Sequence, residues 1–225
     1  MWVILPVKHL QRAKQRLASI LTRDQRAHLS YLMLSDILDV LSSSDAVEGI
    51  TVISSDPSVK ELAAHYRAQF LLLDADSGYS TDAMLAISSV CRMSVDKIAI
   101  IPADVPQLVP ADLHSLNQNH EDGLTLCPAV MDGGTNAVVF SPPLRVPLMF
   151  GPDSSIKYQR EAGKLGVPAR TEHLPGLERD MDRPDDLFWL SQQPSGKRAW
   201  SYIKELSPEI CRTQGINKTD KSESA

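Results

Sequence analysis

Cysteine is scarce in this chain: Cys91, Cys127 and Cys211 stand far apart and never form a CxxC pair. An odd number at such spacing excludes a disulfide framework or a zinc ribbon. Long apolar runs are missing too, since no stretch approaches the ~20 consecutive apolar residues that span a bilayer. Nor does a charged amino-terminal segment lead into a long apolar core, so a cytoplasmic protein without a membrane partner is expected. Positive charge is in short supply, with a formal net charge of -5 at pH 7 and a sequence pI near 5.7. That balance argues against a general nucleic-acid binder, which presents a basic surface to phosphates. Any phosphate site must be local. The signatures GxGxxG, GxxxxGK(S/T), GxSxG and HExxH are all absent, and the six histidines show no ligand spacing.

What is present suits one generous globular domain, with 225 residues and 43% hydrophobic content, enough for a substantial core. Short apolar runs near Trp2–Leu5, Ile50–Ser54, Phe70–Leu73 and Lys97–Ile101 read as four buried strands separated by helical patterns. That alternation predicts an α/β fold with a mostly parallel central sheet flanked by helices. Leu29, Leu32, Met33, Ile37, Val40 and Leu41 recur at helical spacing behind a capping box formed by Thr22 and Gln25. Asp56-Pro57 reads as an N-cap followed by proline at the first helical position. A third helix carries Met84, Ile87, Ser88 and Cys91. Further helices are expected at about Pro110–Asn119, Ser155–Lys164 and Pro184–Gln192, with strands near Leu124–Cys127, Ala137–Phe140 and Ala169–His173. From Thr213 onward the composition is too polar to bury, and a disordered tail is expected.

Five segments could carry chemistry. The first, Leu5 to Leu17, sets Lys8, Lys14 and Arg16 directly after the first strand. In a parallel α/β sheet that turn borders the ligand crevice, where cations would meet an anion. The same residues would also serve as the solvated basic face of a helix. The second, Ile98 to Leu108, delivers Asp104 from the end of an apolar strand. There it either supplies a hard oxygen to magnesium or caps a turn before Pro106. Third comes Asp132-Gly133-Gly134-Thr135-Asn136, whose glycines allow backbone amides to approach a ligand but equally close a hairpin. The fourth, Phe150-Gly151-Pro152-Asp153-Ser154-Ser155, opens a helix whose amino-terminal N–H groups bind an anion or are simply capped. The fifth runs from Glu178 to Leu187. If Asp180 to Asp182 is extended, their side chains project to one side roughly 7 Å apart, and one could share a cation with Asp104. Asp185 and Asp186 read as ordinary acidic residues at a helix start.

Taken in order, PVKxLxxAKxRL, ADxPxL, DGGTNA, FGxxS and DxDxPxDL resemble the 2-phospho-L-lactate guanylyltransferases, also called phosphoenolpyruvate guanylyltransferases, of deazaflavin coenzyme F420 biosynthesis. The likeness runs from about Pro6 to Leu187. It implies a nucleotidyltransferase-type Rossmann-like fold over residues 1–212, ahead of the polar tail. It also implies a reaction in which GTP and a three-carbon phospho-acid give a guanosine diphosphate-linked acid and pyrophosphate, with the acid's own phosphate as attacking group. Candidate acids are 2-phospho-L-lactate, phosphoenolpyruvate and 3-phospho-D-glycerate, and a downstream transferase would use the product. By the same likeness Lys8, Lys14 and Arg16 match the basic loop at the GTP phosphates. Asp104 matches the magnesium aspartate, joined by Asp182 and Asp180, and Thr135, Gly151 and Ser154 match the acid site. Gly78-Tyr79-Ser80 stands where the family usually reads Gly-Leu-Asn, so that Gly78 is kept as a substrate-binding candidate while the change at the next two residues bears on guanine selection, and Tyr158 stands where histidine is common. Two rivals remain at this stage: a CTP- or UTP-using enzyme similar to molybdopterin cytidylyltransferases, and a non-catalytic nucleotide-binding regulator. The former usually carries a glycine-rich LxxGxGxR turn, which Pro6-Val7-Lys8 replaces.

Overall fold

A computed structural model describes the backbone of residues 1–213, with side-chain surroundings to residue 206. The Cys211 side chain and the polar tail beyond Thr213 lie outside the described residues. Among the described residues the chain forms seven strands, β1 (Trp2–Val7), β2 (Gly49–Ser54), β3 (Gln69–Leu72), β4 (Ile98–Ile100), β5 (Leu124–Pro128), β6 (Thr135–Phe140) and β7 (Ala169–Thr171). They join in one sheet of order β3-β2-β1-β4-β6-β5-β7. Pairing is parallel except at β6, which runs against both β4 and β5. The β5–β6 hairpin turn at Asp132-Gly133-Gly134 produces that reversal, with Gly133 at φ 65. A side chain is rarely tolerated in that conformation.

Among the described residues seven α-helices pack on the sheet or beside it: α1 (Arg23–Ser43), α2 (Val59–His65), α3 (Tyr79–Val90), α4 (Pro110–Asn119), α5 (Ser154–Lys164), α6 (Pro184–Gln192) and α7 (Arg198–Thr213). The expected capping box starts α1: Gln25 N–H donates to Thr22 Oγ1 at 3.2 Å, and Thr22 N–H donates to Gln25 Oε1 at 2.8 Å. One core lies between α1, α2, α4 and one sheet face, including Leu34, Ile37, Leu38, Leu113 and Leu116. A second lies under α3 and α5, with Ala86, Ile87, Tyr158 and Ala162. The third lies away from the sheet, where Leu29 and Met33 of α1 meet Leu187, Leu190, Ala199 and Ile203. Each of the leucines, isoleucines and methionines among them, fully buried, contributes about 1.5–3 kcal/mol relative to exposure.

Three expectations need correction. The run at Phe70–Leu73 reads as a buried strand, but β3 is an edge strand and Leu72 is 61% exposed. Helix α2 starts two residues after Pro57; the Asp56 carboxylate still accepts the Ser58 N–H at 3.0 Å, capping the turn that leads into it. Helix α7 was not expected from the sequence. Its start is capped by distant Asp36, whose carboxylate accepts the N–H groups of Arg198 (3.0 Å) and Ala199 (2.9 Å). Among the described residues no helix is long and apolar enough to cross a membrane.

Candidate active site

The strand order places β1 and β4 side by side, although the chain visits β2 and β3 between them. This is the topological switch point at which open α/β sheets bind ligands beyond the carboxyl ends of the strands. A cleft of about 320 Å³ opens there, within the range of small-molecule sites.

The basic loop after β1 is not a continuous helix. It makes two short 3-10 turns, Leu10–Arg12 and Gln15–Leu17, with Lys14 between them in the left-handed region at φ 53. Such a backbone is costly for a side-chain-bearing residue and persists only where its surroundings fix it. Leu10, Ala13 and Leu17 anchor the loop by burial, and the Leu10 N–H donates to Asp56 Oδ2 at 2.9 Å. Asp56, two residues past β2, thus acts as a positioning residue for the loop.

The result is that Lys14, only 8% exposed at its side chain, points into the acidic wall. Its ammonium donates to Asp104 Oδ2 and lies 3.8 Å from Asp182 Oδ1, while Arg16 donates to Asp182 Oδ2. Four groups from three distant segments therefore alternate in charge: Asp104, Lys14, Asp182, Arg16. Lys8 is exposed in the same cleft wall. Burial alone would lower the Lys14 pKa; the charge and hydrogen bond of Asp104, with Asp182 and Asp180, outweigh it and leave the pKa above its ordinary value.

Asp180 and Asp182 lie on an irregular stretch held by long-range bonds. Met181 N–H donates to the Asp104 carbonyl at 2.9 Å, and Val130 N–H to the Glu178 carbonyl at 2.9 Å. Met181 itself is fully buried in the third core. Alternation along the segment therefore turns both neighbouring aspartates to the cleft, which both line. Asp186 plays the structural part expected, accepting the N–H groups of Asp182 (3.1 Å) and Arg183 (2.7 Å). Its carboxylate also pairs with Arg179, which stacks over Trp189 at 4.5 Å.

Burial, reinforced by the charge of Asp104, pushes the Asp180 pKa up to about 6 against the opposing pull of Lys14. A carboxyl whose pKa is raised on folding favours the fold below its unfolded value near 3.8, and that contribution is lost as pH rises through about 6. At pH 7 and above its charge is a net cost. Asp180→Asn is therefore expected to raise thermal stability at pH 7–8 by on the order of 1 kcal/mol after allowance for solvent screening, and to do so less as pH falls toward 4. Thermal unfolding of both proteins across that range checks this, and a gain independent of pH would contradict it.

Of the residues expected at the acid side, Thr135 and Gly151 line the cleft. Ser154 does not: it is fully buried, and its hydroxyl shares a 2.8 Å hydrogen bond with Thr135 Oγ1. The first amides near α5 are also partly taken, since Asp153 N–H donates to the Asp132 carbonyl (3.0 Å) and Ser155 N–H to the Gly133 carbonyl (3.2 Å). Those bonds tie the hairpin turn to Gly151–Ser155. Gly78 precedes α3 at φ 107 and lies outside the cleft lining, but the next residue, Tyr79, lines it. Sequence reasoning gave no role to Tyr79, Phe150, Asp132 or Asn136, all of which line the cleft. The segments that hold them were singled out, yet nothing in spacing alone marks which side chain faces inward.

Among the described residues no three His, Cys, Asp or Glu side chains gather closely enough to hold a metal by themselves. Magnesium needs only one or two carboxylates when substrate phosphates and water complete its shell. Asp104 fits that use, because its Oδ1 is buried with no hydrogen-bond partner among the described residues. Asp182 is one ammonium away.

The family model described as guanylyl transferase CofC like matches residues 1–220. A phosphoenolpyruvate guanylyltransferase of Roseiflexus castenholzii is 38% identical over 207 residues, 92% of this chain and 95% of the relative. A 3-phospho-D-glycerate guanylyltransferase of Colwellia psychrerythraea is 29% identical over 94% of this chain and 98% of its own. Among solved structures, a protein of Desulfovibrio desulfuricans provisionally named a nucleotide-diphospho-sugar transferase superposes with a TM-score of 0.77 at 17% identity, covering 94% of this chain and 97% of that one. A cytidylyltransferase of Leptospira borgpetersenii gives 0.53 at 13% identity, with 99% of each chain covered. At those identities the structures speak to the fold, which is the nucleotidyltransferase type of Rossmann-like α/β sheet.

Proposed function

The chain belongs to the CofC-like guanylyl transferase family, and from that premise we propose that its cleft joins the guanylyl group of GTP to a three-carbon phospho-acid. Pyrophosphate leaves, and the activated acid would pass to a downstream transferase in coenzyme F420 biosynthesis. The relatives' names favour phosphoenolpyruvate or 3-phospho-D-glycerate as acceptor, with 2-phospho-L-lactate a third candidate.

The observation that carries this reading is the run Asp104, Lys14, Asp182, Arg16 in one cleft with Lys8. Joining two phosphorylated anions needs no side-chain nucleophile, because the acceptor's own phosphate attacks the α-phosphorus. What the protein must supply is neutralisation of repelling charge and alignment of the attacking and leaving oxygens. Lys8, Lys14 and Arg16 face the triphosphate and stabilise charge that builds on the departing pyrophosphate. The Thr135–Ser154 hydrogen bond and the Gly151 backbone shape the side that receives the phospho-acid. Asp104 and Asp182, with Asp180 beside them, would hold Mg2+. When bound, that ion adds positive charge at the phosphates and orients their oxygens.

The test is pyrophosphate release from GTP and Mg2+ with each of the three acids. Turnover with at least one is expected. Preference for CTP or UTP would point to a cytidylyltransferase-like enzyme, and saturable nucleotide binding without turnover to a regulator.

A further inference from the structure

Two polar atoms in the wall of the cleft are buried without a partner among the described residues: Asp104 Oδ1 and the Tyr79 hydroxyl. The first is accounted for by the cation that Asp104 would hold. The second has no role in the steps above. A buried hydroxyl without a hydrogen bond is costly, and the cost falls away only when some other molecule supplies the missing atom.

Tyr79 is well placed to meet a ligand. It is the first residue of α3 and lines the cleft together with Gly151 and Pro152. Its ring meets Phe150 edge-on with centroids 4.6 Å apart, and Phe150 in turn meets Tyr158 at 6.2 Å. The Tyr158 hydroxyl accepts the Met149 N–H at 2.9 Å, which fixes the irregular segment leading into this wall. Three aromatic rings from α3, the loop before α5 and α5 itself therefore set the phenol in place in the cleft wall.

We propose that Tyr79 determines specificity for the phospho-acid, its hydroxyl donating a hydrogen bond to an anionic oxygen of the acceptor. This rests on the reading of the cleft as a guanylyltransferase site and adds a group that recognises the second substrate. The contact with Phe150, which lines the cleft beside Gly151 and Pro152, sets the ring among the residues read as the acceptor side. Burial, with the nearby charge of Asp104 and then Tyr158, holds the phenol pKa well above its ordinary value, so the proton stays on and the group donates.

Tyr79→Phe tests this, since it keeps the ring and its edge contact and removes only the hydroxyl. With GTP saturating, the KM for the phospho-acid used by the wild type is expected to rise roughly tenfold to a hundredfold, the range for a lost hydrogen bond to a charged group. The KM for GTP should move by no more than about twofold. The Tm should hold or rise, because an unsatisfied buried hydroxyl has been removed; a purely structural hydroxyl would lower it and leave both KM values alone. An unchanged KM for the acid in the folded variant would overturn the proposal, as would equal losses for both substrates. Wild-type protein that releases no pyrophosphate with any of the three acids would overturn the reading of the cleft, and this inference with it. That outcome is told apart because it shows before any variant is made.

Discussion

Exchanging Asp104 for asparagine is expected to lower turnover by about 10²- to 10³-fold while the protein stays folded. The amide keeps an oxygen to accept the Lys14 hydrogen bond, and Lys14 retains Asp182 at 3.8 Å, so no cation is stranded. What disappears is the negative charge at a cleft carboxylate whose Oδ1 is buried and unshared among the described residues. The loss should appear in the magnesium dependence of pyrophosphate release and scarcely in the Tm. A folded variant working within about twofold of the wild type would refute the role given to Asp104.

Lys14→Met is the second large effect expected, about 100-fold or more in kcat/KM for GTP. It removes the buried ammonium that sits between two carboxylates and within reach of a third. Without it Asp104, Asp180 and Asp182 repel one another, and the Tm should fall. A divalent cation can replace the missing charge, so Mg2+ should raise the variant's Tm more than that of the wild type. A thermal shift titration with Mg2+ alone reads this, and equal responses would contradict the picture. Arg16→Ala should lower the Tm far less: its side chain is 61% exposed, and exposed ion pairs contribute roughly 0–1 kcal/mol to stability.

Much of this arrangement is legible in the chain because local rules apply to it. The Thr22–Gln25 cap and the periodic apolar face of α1 are decided within a few residues. The β1 and β4 runs lead into the loops that carry Lys8 and Asp104, and parallel pairing then brings both loops to one edge of the sheet. The failures come from partners far along the sequence. Phe70-Leu71-Leu72 has the same apolar content whether it lies in the middle or at the edge of a sheet, and only strand order decides. Helix α7 shows an apolar spacing at Ala199, Ile203 and Leu206, but its start depends on Asp36, 162 residues upstream of Arg198. Ser154 carries a hydroxyl at the expected motif position, yet its burial against Thr135 follows from the turn of the hairpin beside it. Tyr79 could be seen as unusual from sequence; its unpartnered oxygen could not.

The fully buried Met181 links two regions that would otherwise be independent. It is flanked by the cleft aspartates and seated among Leu187, Leu190 and Ile203, outside the cleft lining. Damage to the packing of α6 and α7 would therefore shift Asp180 and Asp182 before it unfolded the sheet. Variants in those carboxy-terminal helices should look like enzymes with faulty chemistry long before they look like misfolded proteins.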